Sequence, residues 1–390
     1  MTEPDPIPIV RDIMQDFARL SGLDPPSPSP HRYLWTDAFA VCNFLALHRR
    51  TGDFVCRDLA LHLVGQVHHV LGRHRDDDPR RGWISGLGER EGKQHPTIGG
   101  LRIGKKLNER MPGEPMDERL EWDRDGQYYH YLTKWMHALN CVARVTGNPE
   151  YFRWAVELAK TAHARFTYAR PGGQKSMVWK MSIDLSRPLV PSMGMHDPLD
   201  GLATFCTLQM AVDSYRLTSP LPGLHTEISE LAEMCRNREW TTDDPLGIGG
   251  LLFDASRITQ LMAKGGFAYP DMLEDIMDSA HYGLEAFRRS RLLQLPAAYR
   301  LAFRELGLSI GLKCLDELSE TIRRNPGIFD KKDPIYSKIP KLMKYEPLAG
   351  MIEQFWLDEK NRMAGTWTEH REINRVMLAT SLAPEGFITI

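Results

Sequence analysis

The sequence predicts a mainly α-helical protein, built as a closed ring of about six helical hairpins. Apolar residues recur at three- and four-residue steps through most of the chain, which is the pattern of amphipathic helices. Segments that are apolar nearly all round alternate with segments that are apolar on one side, as expected of buried inner helices paired with outer ones. Strand-like runs are sparse, and nothing resembles a series of parallel strands and helices.

The first predicted hairpin illustrates this alternation. Residues Ala38 to Leu47 are apolar nearly all round, as in a helix that is buried on every face. The next segment, Phe54 to Leu71, has one apolar stripe and carries polar and charged residues on its other side. We therefore expect an inner helix followed by a half-exposed outer helix.

The same alternation continues to the C-terminus. Inner helices are predicted to start near Trp35, Trp122, His196, Asp244, Phe303 and Trp367. Outer partners are predicted at Phe54 to Leu71, Glu150 to Phe166, Leu224 to Cys235, Met272 to Phe287, around Leu348 to Leu357, and at the N-terminal Ile9 to Leu20. The inner starts are separated by roughly 50 to 90 residues at irregular spacing, so the repetition is structural only. Six pairs with few long polar linkers favour a closed ring over an open solenoid.

One predicted inner helix differs from the others. Gln127 to Val145 carries a polar line of His130, Lys134 and His137, which a fully buried helix should not tolerate. The only β structure expected is a small hairpin within Ser176 to Met181.

We expect one domain over residues 1–390, with lid-like insertions at about 73–121 and 171–191. Both insertions are rich in Gly, Pro and charged residues, and loops this long in a compact domain are usually functional lids or disordered segments. Ile98 to Gly104 mixes apolar residues with glycines, which favours an ordered lid. The basic residues of the 73–121 insertion, Lys93, Arg102, Lys105 and Lys106, are further candidates for contact with an anionic sugar such as a uronide or a sugar phosphate, although Lys and Arg in a loop are usually just solvated.

Composition excludes several classes of function. The formal net charge is −2 with 49 basic and 51 acidic residues, so no overall positive field attracts nucleic acid. The N-terminus lacks the cationic and apolar regions of a secretory signal, and no window reaches the roughly 18 apolar residues of a membrane span. We expect a cytoplasmic protein without nucleic-acid or membrane partners.

Metal and disulfide chemistry are not expected either. The six cysteines are scattered and form no C-x-x-C pair, so we interpret them as reduced core residues. No metal site and no cofactor are predicted.

Tryptophan, histidine and carboxylates recur at the predicted helix starts, which suggests that they converge on one site. The densest group is Trp122-Asp123-Arg124-Asp125-Gly126, and similar groups stand at Trp35-Thr36-Asp37, His196 to Gly201 and Trp367 to His370. Asp before a helix is also the ordinary N-cap, and capping accounts equally for Asp37, Asp123 and Asp244.

Six hairpins whose inner helices begin with Trp, Asp and Arg resemble the six-hairpin glycosidase superfamily of (α/α)6 barrels. Trp122-Asp123-Arg124-Asp125 resembles the W-x-R-D element of its glucoamylase-like enzymes. The resemblance implies that Arg124 and Asp125 hold sugar hydroxyls beside Trp122. It also implies a catalytic base at Glu369, although the chain has no W-E-E-like acid element.

The first hypothesis is a glycoside hydrolase, because glycosidic cleavage normally needs two carboxylates about 5 to 9.5 Å apart. Its acid would be Asp200 or Asp125 and its base Glu369. His196 is a further catalytic candidate, since it adds a titrating imidazole next to two acids. The predicted substrate-binding residues are Trp35, Asp37, Trp122, Asp123, Arg124, Asp197, Trp367 and His370.

Two alternatives remain open. A sugar epimerase or isomerase would use His196 and His370 for proton transfer. A non-catalytic sugar-binding or scaffold barrel would carry the same acids as caps and ion pairs. All three hypotheses imply a small-molecule or oligosaccharide ligand, and the sequence leaves the oligomeric state open.

Overall fold

The computed structural model describes residues 5–214, 221–330 and 332–389. Helices account for 63% of the described residues, about twice the share in an average globular protein, so the predicted all-α class is confirmed. Among the described residues, no helix is both long and apolar enough to cross a membrane.

The helices follow one another along the chain. They are α1 Ile7–Leu20, α2 Leu34–Thr51, α3 Phe54–Leu71, α4 Glu89–Gln94, α5 Glu118–Glu121, α6 Tyr129–Thr146, α7 Pro149–Phe166, α8 Asp197–Ser214, α9 His225–Cys235, α10 Pro245–Ala263, α11 Pro270–Ser290, α12 Ala302–Arg324, α13 Pro334–Met343, α14 Leu348–Leu357, α15 Glu359–Arg362, α16 Gly365–Thr368, α17 Arg371–Leu382 and α18 Glu385–Ile388. The strands are β1 Gln127–Tyr128, β2 Thr167–Ala169, β3 Lys175–Met177, β4 Lys180–Met181 and β5 Pro188–Val190. Long insertions lie between α3 and α6 and between α7 and α8.

The chain divides into two compact units. The first unit is Ala18–Cys235, and it contains three hairpins: α2 with α3, α6 with α7, and α8 with α9. Its inner helices pack side by side, α2 against α6 and α6 against α8. In α2 every residue from Leu34 to Leu47 is buried, as expected of an inner helix.

The second unit comprises the described residues up to Phe17 together with those from Arg236 onward. Its inner helix α10 pairs with α11 and packs against α12, and α12 packs against α14 and α17. An ion pair of 3.4 Å between Arg375 and Asp16 joins α17 to the N-terminal helix α1. The inner helices α10 and α12 thus have α11 and α14 as the outer partners that the sequence predicts.

Glycine permits a close contact between two helices of the second unit. A Cβ atom added at Gly249 of α10 would lie 2.1 Å from the carbonyl oxygen of Gly307 in α12. The two backbones therefore touch where no side chain separates them.

The predicted positions of the six inner helices are correct to within a few residues. The largest differences are at Trp122, which precedes α6 by a loop and the strand β1, and at Trp367, which lies in the short helix α16 ahead of α17. The predicted hairpin at Ser176 to Met181 is wrong, because this run is divided between two sheets: β3 pairs with β2, and β4 lies between β1 and β5, all antiparallel.

The insertion at 73–121 is folded against the first unit. Leu101 and Ile103 are fully buried, and Arg102 is 6% exposed. The Arg102 guanidinium donates hydrogen bonds to the carbonyl oxygens of Val70 and Arg73. Its function as a lid, like the single-domain organisation, stays a prediction.

Candidate active site

Aromatic rings crowd the N-terminal ends of α2 and α6 in the first unit. We call this group the aromatic cluster, and it consists of Tyr33, Trp35, Tyr128, His130, Tyr131 and Trp179. The Tyr131 ring lies 5.6 Å from Tyr33 and 5.2 Å from Trp35, and the Tyr33 and Tyr131 hydroxyls are hydrogen-bonded at 2.7 Å. Tyr128 stacks on Trp179 at 4.9 Å and on His130 at 5.4 Å.

Strand pairing explains how distant residues reach this cluster. In β1, Tyr128 pairs with Lys180 of β4, which brings the neighbouring Trp179 next to it. The backbone N–H of Tyr129 donates to the carbonyl oxygen of Trp179 at 3.1 Å, so α6 begins directly from the sheet. His130, in the first turn of α6, is thereby held among the rings.

The imidazole of His130 is neutral at physiological pH. Burial, and to a lesser extent the nearby Lys134, lowers the pKa of His130 to about 4. Its side chain nevertheless keeps 32% of its surface exposed, so a small molecule can reach it. Among the described residues Nε2 of His130 has no hydrogen bond, whereas Nδ1 lies 3.6 Å from Oδ1 of Asp197.

Asp197 and Asp200 stand in the first turn of α8 and have different environments. Burial, reinforced by the charge of Asp200, raises the pKa of Asp197 to about 7. Asp200 is engaged at both oxygens, since Lys134 donates to Oδ1 at 2.8 Å and the Thr133 hydroxyl donates to Oδ2. The first turn therefore holds one carboxyl that is protonated in part at neutral pH and one carboxylate bound by a lysine.

Three buried polar atoms around His130 have no hydrogen-bond partner among the described residues: Trp35 Nε1, Tyr128 Oη and Asp197 Oδ2. The Trp35 ring is 6.1 Å from the imidazole. Buried polar atoms are nearly always paired in folded proteins, and a binding site typically combines apolar walls with a few such groups. These three atoms suit a ligand that carries several hydroxyl groups.

Asp125, a predicted catalytic acid, is placed inside the protein. It is fully buried, and its Oδ2 accepts from Arg102 at 2.6 Å and from Arg75 at 3.3 Å. Its Oδ1 accepts from the backbone N–H groups of Gly104 and Gly126, each at 3.0 Å. Both oxygens are in use, so the contacts of Asp125 are those of an anchor for the loop around Gly104.

The other residues of the Trp122 motif are divided between the surface and the cluster. Trp122 is exposed and lies 5.6 Å from Trp179, which extends the aromatic cluster outward. Arg124 is paired in bidentate fashion with Glu114, and Asp123 is exposed. These contacts do not support the sugar-binding role that the resemblance implied for Arg124.

Contacts at helix starts explain two of the predicted carboxylates. Asp37 is buried and its Oδ2 accepts from the backbone N–H of Tyr33 at the start of α2. Asp244 is the N-cap of α10 and accepts from Gly247 N–H at 3.1 Å. The Asp244 contact is the N-cap bond of a short acidic side chain. Asp37 lies in the first turn of α2, and its bond reaches back to Tyr33, the N-cap residue.

The predicted residues of the second unit do not form a comparable group. Trp367 is 2% exposed and stacks on Trp356 at 5.5 Å, so its ring is a core ring. Glu369 and His370 are both exposed, and the His370 ring lies 5.5 Å from Phe303. In the first unit, His196 is half-buried directly before α8. The catalytic roles of Glu369 and His196 stay predictions.

The first unit also contains a set of soft donor atoms that the sequence did not predict. Cys42 of α2 and the pair His137 and Cys141 of α6 are buried, and their ligand atoms all lie within 4.8 Å of one another. Two thiols and an imidazole could hold a thiophilic metal ion. The cluster was not visible in the sequence, because Cys42 lies far from His137 and Cys141 along the chain and approaches them only when α2 packs against α6.

Sequence reasoning missed His130, Tyr131 and Lys134 as site residues. The polar line on Gln127 to Val145 was the available signal, because polar groups on an inner helix need a partner or a ligand. Trp179 gave no signal, since its approach to Tyr128 depends on the pairing of two strands that are far apart in sequence.

Two solved structures are similar to this chain over most of its length. A sugar epimerase from a ruminal bacterium has a TM-score of 0.49 and 10% identity, covering 96% of this chain and 98% of its own. The cellobiose 2-epimerase from Spirochaeta thermophila has a TM-score of 0.48 and 13% identity, with 95% and 97% covered. No family model matches the sequence, and no curated protein shows significant similarity to it.

Proposed function

We propose that this protein is a carbohydrate-active enzyme with an (α/α)6-barrel fold, and that it epimerises or isomerises a sugar through His130. The observation that carries the proposal is the neutral, reachable imidazole of His130 among stacked rings and unpartnered buried polar atoms. Aromatic faces suit the apolar faces of sugar rings, and the polar atoms suit their hydroxyl groups.

The chemistry follows from the position of His130. In an open-chain sugar, His130 Nε2 removes the proton from the carbon next to the carbonyl group, and the electron pair moves onto the carbonyl oxygen. Trp35 Nε1 and Tyr128 Oη are the buried donors available to the oxygens of this enediolate. Return of the proton from His130 to the former carbonyl carbon, with transfer of the hydroxyl proton from the second oxygen to the first, gives the isomer. Delivery of a proton from water to the opposite face of the original carbon, with release of the first proton from His130 to water, gives the epimer. The step neither oxidises nor reduces the sugar overall.

Asp197 supports this role of His130. Its carboxyl group faces Nδ1 at 3.6 Å, where it stabilises the imidazolium that forms when Nε2 takes a proton. Lys134 donates a hydrogen bond to the neighbouring carboxylate of Asp200. This assignment moves the histidine chemistry from His196 and His370, the sequence candidates, to His130.

A second candidate function is glycoside hydrolysis. The raised pKa of Asp197, about 7, suits a general acid, and Asp200 is the neighbouring carboxylate. Against this function, both oxygens of Asp200 already accept hydrogen bonds from Lys134 and Thr133, so the carboxylate is held as the partner of these two side chains. Epimerisation or isomerisation is therefore the better supported reaction.

A substrate panel with one variant and one control tests the proposal. The purified protein is incubated with free aldoses, ketoses, aldobioses, sugar acids and nitrophenyl glycosides, and products are separated by chromatography. We expect wild type to convert at least one free sugar, and His130→Asn to reduce kcat by about 100-fold or more, the usual range for a lost general base. His69→Asn, an exposed position on α3, should stay within about twofold.

Two results would oppose the proposal. Full turnover by His130→Asn would remove His130 from the chemistry. Release of nitrophenol by wild type without conversion of any free sugar, abolished in Asp197→Asn, would establish the hydrolase instead.

A further inference from the structure

Lys105 lies at the rim of the aromatic cluster, and its ammonium group makes no ion pair with a described residue, although the charges of Asp123 and Asp125 act on it. Its Nζ is 5.4 Å from the centre of the Tyr33 ring. Tyr33 is joined to Tyr131 through their hydroxyls, and the Tyr131 ring meets His130 at 4.9 Å. The charge of Lys105 therefore stands on the same continuous surface as the imidazole.

The backbone that carries Lys105 is fixed on both sides. The Gly104 N–H donates to Asp125 at 3.0 Å, and the guanidinium of Arg75 donates to the carbonyl oxygens of Lys105 at 2.6 Å and Lys106 at 2.9 Å. Gly104 has a φ of 92°, and a Cβ atom there would lie 2.2 Å from the carbonyl oxygen of Arg32. The loop is held tightly in a conformation that places one cation at the cluster.

The other two lysines at the cluster are neutralised. Lys180 donates to Glu121 Oε1 at 2.8 Å and to two carbonyl oxygens, and Lys134 donates to Asp200. Asp125, one of the acids nearest Lys105, has both oxygens occupied by other donors. A half-buried cation without a partner is costly, and an anion that binds beside it recovers this free energy.

We infer that the substrate is an anionic sugar, and that Lys105 binds its carboxylate or phosphate group. This inference rests on the proposed sugar site, and it adds the charge of the substrate. The aromatic faces would hold the ring while Lys105 selects the sugar acid over its neutral parent.

Calorimetric titration of matched ligands tests the inference. The ligand pairs are D-glucuronate with D-glucose and D-galacturonate with D-galactose, and D-glucose 6-phosphate separates phosphate from carboxylate recognition. For at least one pair we expect the anion to bind wild type about 10- to 100-fold more tightly than the neutral sugar, the range for one charge-assisted contact. The preference should weaken from low to high salt.

Neighbouring lysines provide the matched variants. Lys105→Met should bind the anion and its neutral parent equally, while Lys106→Met, at the exposed next position, should keep the wild-type preference. Lys105→Gln repeats the test with a polar side chain, and thermal melting confirms that each variant is folded.

The inference is overturned if no anion binds more tightly than its neutral parent, or if Lys105→Met keeps the preference. His130→Asn separates this result from the proposed reaction. If the protein prefers anions in a way that depends on Lys105 but converts no sugar, the proposed reaction is wrong and the anion site is supported. If turnover depends on His130 but the protein shows no preference for anions, the proposed reaction is supported and the anion site is wrong.

Discussion

The aspartates near the helix starts have different roles, although all of them carry the same side chain. Asp244 caps a helix, Asp37 bonds back to the residue before its own helix, Asp125 anchors a loop, and Asp197 faces an imidazole. Burial and hydrogen-bond partners separate these roles, and each therefore gives a different result when the carboxylate is replaced by an amide.

Asp197→Asn is expected to change how stability depends on pH. The folded protein keeps the Asp197 proton up to pH about 7, whereas the unfolded chain releases it near pH 4. Ionisation therefore costs the wild type stability as pH rises from about 4 to 7, by roughly 4 kcal/mol for a shift of about three units. The amide cannot ionise, so the variant avoids this loss.

Urea unfolding at several pH values measures this effect. The free energy of unfolding of Asp197→Asn minus that of wild type should increase from pH 4 to above pH 7. Taking the difference removes the opposite contribution of His130, whose lowered pKa adds stability between about pH 4 and 6.5. A difference that does not change with pH would contradict the position of Asp197 in a buried site.

The two aspartates of the Trp122 motif form a matched pair. Asp125→Asn leaves the buried Arg102 without its charge partner and should reduce the free energy of unfolding by about 3 to 5 kcal/mol. Asp123→Asn, at an exposed carboxylate, should change it by less than about 0.5 kcal/mol. Chemical denaturation of both variants measures the effects. Unchanged stability with lost turnover in Asp125→Asn would instead support the catalytic role that the sequence suggested.

At the scale of elements, the contact between α10 and α12 depends on a missing side chain. Gly249→Ala would push a methyl group against the Gly307 carbonyl, and we expect a loss of about 1 to 3 kcal/mol from this overpacking. Gly250→Ala, where a Cβ meets nothing within 4 Å, should gain up to about 1 kcal/mol from helix propensity. Thermal and urea unfolding of the two variants compare them directly. Equal effects at both positions would mean that the helices do not approach so closely.

Short β elements matter more for the site than their size suggests. The pairing of β1 with β4 places Tyr128 beside Trp179 and leads directly into α6. The sequence predicted a local hairpin for this region, because Ser176 to Met181 has the composition of a strand. Pairing between segments about 50 residues apart is decided by tertiary contacts, which periodicity does not encode.

At the scale of the whole molecule, helical periodicity was sufficient to predict the class and the order of helices. An inner and an outer helix bury different fractions of their surface, and this difference is visible in the sequence. The first hairpin is an example, with the inner segment Ala38 to Leu47 and the outer segment Phe54 to Leu71. The helix α13 was not predicted, and Pro340 within it interrupts the usual pattern.

The site was predictable only in part. Trp35, Asp197 and Asp200 were predicted near helix starts and lie there, and the structure brings Trp35 and Asp197 to His130. His130 itself carried only the signal of an unexpected polar residue on an inner helix. Whether an acid caps a helix, anchors a loop or faces a ligand depends on the side chains around it, and these come from distant parts of the chain.

We propose that His130 moves a proton of a sugar. Incubation with the substrate in D₂O, followed by ¹H NMR, measures this step directly. We expect wild type to replace the hydrogen on the carbon next to the carbonyl group with deuterium. In His130→Asn the rate of this exchange should be lower by a factor of about 100 or more. Absence of exchange in wild type during turnover, or equal exchange in His130→Asn, would contradict the claim.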